Sequence, residues 1–573
     1  MAAWKRTFVG AGVLLGCWCT GAPLAAQGSG GAGASPFLVT DAMLLAGHSG
    51  NPEQWPMYGG DYHNNRYSPL DQINTTNVKN LRPAWIFQTG IAESFETTPV
   101  VVGGEMYITT PAAQQVQKVI KLNARTGEKI WESAIRLGTT IFCCGPNNRG
   151  VAVWQDKVYL GTLDARLVAL DARTGRIVWE QQTADPSLGY SQTHAPVVFD
   201  GKVIIGSSGG EYGIRGFVKA YDANTGRPLW TWYTIPSPEE GGWWGTWVTT
   251  APGTTHSLNR NIRQEKADSA KYADAWQRGG GGVWMTPAVD PERRAIYVSV
   301  GNPSPDLDGS IRPGDNRWTD SVCSIHVDTG RMNWCYQYIP HDVWDLDAAS
   351  PPFLFDFRQG NRTIPAVGHF SKLGFLYVLD RNTGRLLKLS KNYVPHENLF
   401  ALPTPEGTRM LPGANGGTEW SPGGFSPQTG YAYSVNLHQP MHYSVHSVPW
   451  EKGRLWLGSA FTAIPGEDQW GNVVAVDPVS GNVVWEARTE EPMMGGVLVT
   501  AGGLVFAGQP TGSFDAWDAR TGQHLWSFRT GAGCNAAPMT YLLDGKQYVA
   551  VACGGIHQID APRGDALIVF ALP

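Results

Sequence analysis

Charge is scarce in this chain. Only 16% of its 573 residues are charged, and no long run of lysine or arginine occurs. A nucleic-acid binder needs clustered positive charge to displace phosphate counterions, so that class is excluded. The formal net charge is −5. Zinc-ligand spacings are missing too: there is no CxxC and no HExxH. CxxCH is absent as well, so no covalently attached c-type haem is expected on this chain. Beyond the N-terminal segment, no apolar run approaches membrane-spanning length.

Glycine and tryptophan, by contrast, are abundant, at 70 and 24 residues. The N-terminus places Lys5 and Arg6 before an apolar stretch and then small residues, the shape of a secretory signal ending at Ala26. Leu14-Leu15-Gly16-Cys17 also fits lipoprotein processing, with Cys17 acylated, as the alternative. The organisation expected is a signal over 1–26, a flexible tether over 27–50 and one domain over 51–573. Export to an oxidising compartment favours disulfides among Cys143, Cys144, Cys323, Cys335, Cys534 and Cys553. Cys323 and Cys335 flank a hairpin turn, and Cys534 and Cys553 a short strand pair. If both pairs close, the adjacent Cys143 and Cys144 have only each other; two free thiols are the other reading.

One motif recurs along the chain. ALDARTGRIVW ends at Trp179, and kindred segments end at Trp131, Trp230, Trp334, Lys388, Trp485 and Trp526; LRPAW, ending at Trp85, lacks the turn. Each copy reads as strand, tight turn, strand, with glycine where the turn needs positive φ. Another apolar strand pair precedes each copy, giving four strands per unit of roughly 40–50 residues, the scale of a propeller blade. Eight such positions predict an all-β, eight-bladed β-propeller, its tryptophans docked between blades. Two long insertions, 235–282 and 390–470, are dense in Gly, Trp and polar residues and are expected to form a functional face.

The tryptophan repeat, the Cys143-Cys144 pair and several polar segments together resemble the pyrroloquinoline quinone (PQQ)-dependent methanol and alcohol dehydrogenases. The resemblance runs from WPMYGGDYHNNRYSPL near residue 55 to GKQYVAVACGG near 555. It implies that PQQ lies between a Cys143–Cys144 disulfide and Trp284. It also implies cofactor contacts from Glu96, Arg149, Thr193, Ser208, Gly209, Gly210 and Lys372, with Arg149 on a PQQ carboxylate.

The same resemblance assigns one metal ion to Glu211, Asn302 and Asp345, oxygen donors that suit Ca²⁺ or a trivalent ion of similar size. Asp345 is also the implied general base, with hydride passing from the alcohol carbon to PQQ C5. Asp347, two residues on, marks lanthanide-dependent members, so a lanthanide is favoured over Ca²⁺. Alternation in an extended segment would put Asp345 and Asp347 on one side. Three positions depart from the family pattern: Glu419, Met494 and Ile556. They are expected to reshape the cofactor edge and the substrate pocket.

The function implied is periplasmic oxidation of a primary alcohol to the aldehyde. Electrons would pass to a separate cytochrome c, and homodimerisation is left open. Alternatives are a quinoprotein sugar or polyol dehydrogenase, and a non-catalytic propeller scaffold anchored through Cys17.

Overall fold

The computed structural model describes residues 38–573. The signal over 1–26 and the start of the tether lie outside the described residues. The tether does not reach residue 50 as expected. Val39 pairs with Gln155 through two backbone hydrogen bonds, of 3.1 and 2.6 Å, and Asp41–Gly50 is a helix. Thr40 caps that helix, accepting from the Met43 N–H at 3.2 Å, while Trp154 Nε1 donates to Asp41 at 2.9 Å. Leu44 and His48 are buried beneath it. Its two apolar and polar anchors outweigh the glycine-rich composition that suggested a linker.

Strands dominate the rest. Among the described residues, seven sheets have four strands, one adds a short parallel strand to its four, and a ninth has three. Most repeat turns are held by an aspartate, with Asn123 and His326 in its place in two copies. Asp171 accepts from the Arg173 and Thr174 N–H groups at 3.1 and 2.7 Å, and Gly175 follows at φ +72°. Asp222 and Asp518 do the same before Gly226 and Gly522.

A bulge follows each of these turns, for instance between Ile177 and Trp179, and re-aims the tryptophan toward the neighbouring sheet. There the indole covers the next turn glycine: Trp85 on Gly127, Trp131 on Gly175, Trp179 on Gly226, Trp230 on Gly330, Trp334 on Gly384 and Trp485 on Gly522. A Cβ at Gly175 would stand 2.9 Å from the Trp131 ring, so glycine is required there for space as well as for φ. The indole N–H groups are satisfied by carbonyls of the same turns, Trp131 to Ala172 at 3.1 Å and Trp485 to Ala519 at 3.0 Å. Lys388 occupies the equivalent place against Gly481. Trp526 packs edge-on against Phe570 at 5.4 Å. The strand Arg82–Gln88, which carries Trp85, pairs with the C-terminal strand Ala566–Ala571, so both chain ends share one sheet.

The insertion at 390–470 builds the three-stranded sheet, from Thr408–Met410, Met441–Val445 and Ser459–Ala463. Cys323–Cys335, Cys534–Cys553 and the adjacent Cys143–Cys144 are all disulfides, so the free-thiol reading of the adjacent pair is set aside.

Candidate active site

A cavity of about 470 Å³ opens among the segments that join the strands. Cys143, Cys144, Arg149, Thr193, Ser208, Gly209, Glu211, Trp284, Asp345, Asp347 and Lys372 all line it. Residues scattered over more than 200 positions thus meet at one place because the connecting segments of several sheets converge there.

Arg149 is fully buried, with its guanidinium 4.4 Å from the Trp420 ring and 5.4 Å from that of Trp284. One nitrogen, Nη2, pairs with Glu96 at 2.8 Å; Nε and Nη1 are buried without a protein partner. Unsatisfied donors on a buried cation call for an anionic or carbonyl acceptor beside it. Glu96 does not line the cavity. It lies behind Arg149, and Asn147 Nδ2 donates to its other oxygen at 2.9 Å. Glu96, expected to contact the cofactor, thus stands off the wall and supports Arg149. Burial raises the Glu96 carboxyl above its ordinary value, and the Arg149 charge opposes that rise. Gly210 is also off the wall, opening a single helical turn, Gly210–Tyr212, that packs on the backbone of Gly280–Gly282. Thr193 and Ser208 hydroxyls share a 3.0 Å hydrogen bond.

The other side of the cavity is acidic, with one lysine at its centre. Lys372 Nζ is 2.6 Å from Asp347 Oδ1, 3.7 Å from Asp345 Oδ2 and 3.8 Å from Glu419 Oε1, and it donates to the Asp345 carbonyl at 2.9 Å. Asp347 Oδ2 accepts from the Trp284 indole at 3.3 Å. Asp345 and Asp347 do share the cavity, but not by strand alternation. Asp345 is left-handed, at φ +58°, in a turn whose N–H groups at Trp344 and Leu346 are both held by Asp342 at 2.8 Å. Burial drives the Asp345 carboxyl well above the usual range; Lys372 opposes this, while Asp306, Asp347 and Asp342 reinforce it. Enclosure likewise raises Glu211. Asn302 is buried but does not line the cavity; its Nδ2 donates to Pro303 O at 3.3 Å. Among the described residues, no three His, Cys, Asp or Glu side chains stand close enough to form a ready-made metal cluster.

Of the three departures, Glu419 lines the cavity. Its carboxyl is pushed up to about 7 by burial, against the nearby Lys372 charge. It accepts from the Trp420 N–H and, at 3.3 Å, from Gln558. Met494 and Ile556 do not face the cavity as expected. They are fully buried in a cluster with Tyr58, Met285 and Trp420, behind the wall that Trp284 forms. Sequence reasoning missed Asn147, Ser191, Asp306, Asn415, Gln439, His557 and Gln558 on the wall. It also missed an apolar face made by Met441, Leu457, Phe461 and Ala463. All four come from the second long insertion, whose density of Gly and Trp was the one signal available.

This sheet array and lining define a quinoprotein-type propeller, and sequence comparison agrees. The family described as "PQQ: Glucose/ethanol/alcohol dehydrogenase, beta-propeller domain" matches residues 55–398 and 465–549, and the chain belongs to it. Among named relatives, quinoprotein alcohol dehydrogenase PedH of Pseudomonas putida is 35% identical over 90% of this chain and 91% of its own length. A lanthanide-dependent methanol dehydrogenase of Methylorubrum extorquens is 34% identical over 93% of this chain and 91% of its own. A solved europium-containing methanol dehydrogenase superposes with a TM-score of 0.80 at 32% identity, covering 91% of this chain and 98% of that one.

Proposed function

We propose that this chain is a PQQ-dependent dehydrogenase that oxidises a primary alcohol to the aldehyde. The observation that carries the reading is Arg149. It carries two unpartnered buried donors and lines a cavity that also presents the Cys143–Cys144 disulfide, Trp284 and the Asp345–Asp347 pair. Trp284 and the disulfide offer flat, polarisable surfaces for a planar ring system. Arg149, Thr193 and Ser208 would hold its polar edge, and Glu96 keeps the guanidinium plane fixed. Glu211, Asn302, Asp345 and Asp347 are the proposed oxygen donors to one cation. Three carboxylates among them favour a trivalent lanthanide over Ca²⁺. When bound, PQQ supplies the two-electron oxidant and the cation a Lewis acid.

The chain's own residues do the rest. Asp345 takes the hydroxyl proton of the alcohol. Lys372 holds Asp345 and Asp347 in place through their shared ammonium contacts. Met441, Leu457, Phe461 and Ala463 form a wall that suits the hydrocarbon body of an alcohol better than a polyol. We further infer an eight-bladed ring, supported by the sheet-to-sheet contacts, Lys388 among them, that run from Trp85 to Trp526, which packs on Phe570 in the sheet that carries Trp85. Export to the periplasm and electron delivery to a separate cytochrome c complete the reading. Purified protein stripped of cofactor and reloaded with PQQ should reduce a redox dye only when a primary alcohol is added. Failure to bind PQQ would overturn the proposal.

A further inference from the structure

Asp306 belongs to no role assigned so far. It lies in Asn302-Pro303-Ser304-Pro305-Asp306, is 1% exposed and lines the cavity. Its Oδ1 is buried without a hydrogen-bond partner. A buried carboxylate oxygen left unpaired is strongly unfavourable unless a cation or donor meets it.

Two devices fix where this carboxylate stands. The first is Arg312, fully buried, which donates to the carbonyls of Pro305 at 2.8 Å and Asp306 at 2.9 Å and also to that of Asp342. One guanidinium thus ties the Asp306 segment to the turn that presents Asp345 and Asp347. The second is a strap from the long insertion. Trp456 N–H donates to the Glu211 carbonyl at 2.7 Å, and the next residue, Leu457, accepts from the Leu307 N–H at 2.8 Å. Glu211 and Leu307, the residue after Asp306, are therefore held by consecutive residues of one segment. Trp450 secures the strap, its indole donating to the Tyr212 carbonyl at 2.9 Å. Both indoles lie against Gly213, where a Cβ would stand 2.7 Å from Trp450 and 2.9 Å from Trp456.

From this placement we propose that Asp306 is a further direct oxygen ligand of the cation, adding a fourth carboxylate to Glu211, Asp345 and Asp347. The electrostatics agree. Four anionic ligands match a 3+ ion and overcompensate a 2+ ion. The inference rests on the cation site proposed above.

The test is Tb³⁺ titration of the full chain, stripped with chelator and loaded with PQQ, followed by luminescence sensitised by nearby indoles. Lifetimes in H₂O and D₂O count the waters on the ion. Asp306→Asn and Asp306→Ser are compared with the unaltered chain and with Asp308→Asn, each checked for native near-ultraviolet circular dichroism. Asp308 is in the same segment but caps Ser310, whose N–H it accepts at 3.0 Å, and it is off the cavity wall. The expected result is at least the roughly 10–100-fold affinity loss typical of perturbed metal sites in both Asp306 variants. About one extra bound water should accompany it, with Asp308→Asn unchanged. Equal Tb³⁺ affinity and hydration in the Asp306 variants would overturn the ligand role while leaving the cation site intact. No Tb³⁺ signal in the unaltered chain would overturn both.

Discussion

Lys372 and Asp347 form the closest charge pair of the cavity, Nζ to Oδ1 at 2.6 Å, with both side chains nearly inaccessible to water. Asp345 and Glu419 stand on the same ammonium at 3.7 and 3.8 Å. A single cation therefore balances three carboxylates, and that excess of negative charge is what prepares the pocket for a metal ion.

Replacing Lys372 by methionine leaves those carboxylates without a counter-charge. The expected cost is about 3–5 kcal/mol, the usual effect of removing one partner from a buried ion pair. Added La³⁺ should restore part of the lost melting temperature, because it supplies the missing charge. Calorimetry with and without La³⁺ checks this, and an unchanged melting temperature in the variant would count against the charge balance described.

Arg149→Lys keeps the charge but loses Nε and Nη1, two buried donors without a protein partner. PQQ affinity should fall by about 1.5–3 kcal/mol, the range for hydrogen bonds to charged groups. Quenching of tryptophan emission by added PQQ measures it. Glu96→Gln should weaken binding less, since Glu96 acts by steadying Arg149.

Trp485→Ala removes an indole that is 9% exposed and packed on Gly522. The chain should lose about 3–5 kcal/mol in urea unfolding. Lys388→Ala, at the equivalent place, should change stability by no more than about 0.5 kcal/mol, as for other surface substitutions. Equal losses in the two would contradict the packing role given to the indoles.

His48 gives the N-terminal helix an acid-sensitive anchor. Burial lowers its pKa to about 4, and its ring nitrogens meet Gln54 O at 2.6 Å and Ser68 Oγ at 2.7 Å. Between pH 6.5, the ordinary histidine value, and about 4, the unfolded chain binds a proton that the folded one refuses. Stability is therefore full above that window and falls as pH drops through it, by up to about 3 kcal/mol for this group. Hydrogen exchange of residues 41–50 against pH should show the loss, and His48→Gln should flatten it.

Much of this was legible in the sequence. The Asp-x-x-Thr-Gly turns announce hairpins because aspartate and glycine have local work to do there, and their spacing implies the sheets. Cys323 and Cys335 flank one such turn and pair across it. Other features depend on contacts far apart in the chain. Nothing local shows that Glu96 stands behind Arg149, or that Met494 and Ile556 turn into the core. The alternation argument for Asp345 and Asp347 failed because Asp342 folds that segment into a turn. The helix Asp41–Gly50 was hidden by its glycine-rich approach, although Leu44 and His48 are what anchor it.

The most direct measurement is alcohol-dependent dye reduction by metal-free protein loaded with PQQ, given La³⁺ or Ca²⁺ in separate assays, with Asp347→Ala alongside. The account predicts activity with La³⁺, little with Ca²⁺, and loss of the La³⁺ activity in the variant. Full activity with Ca²⁺ that survives Asp347→Ala would contradict it.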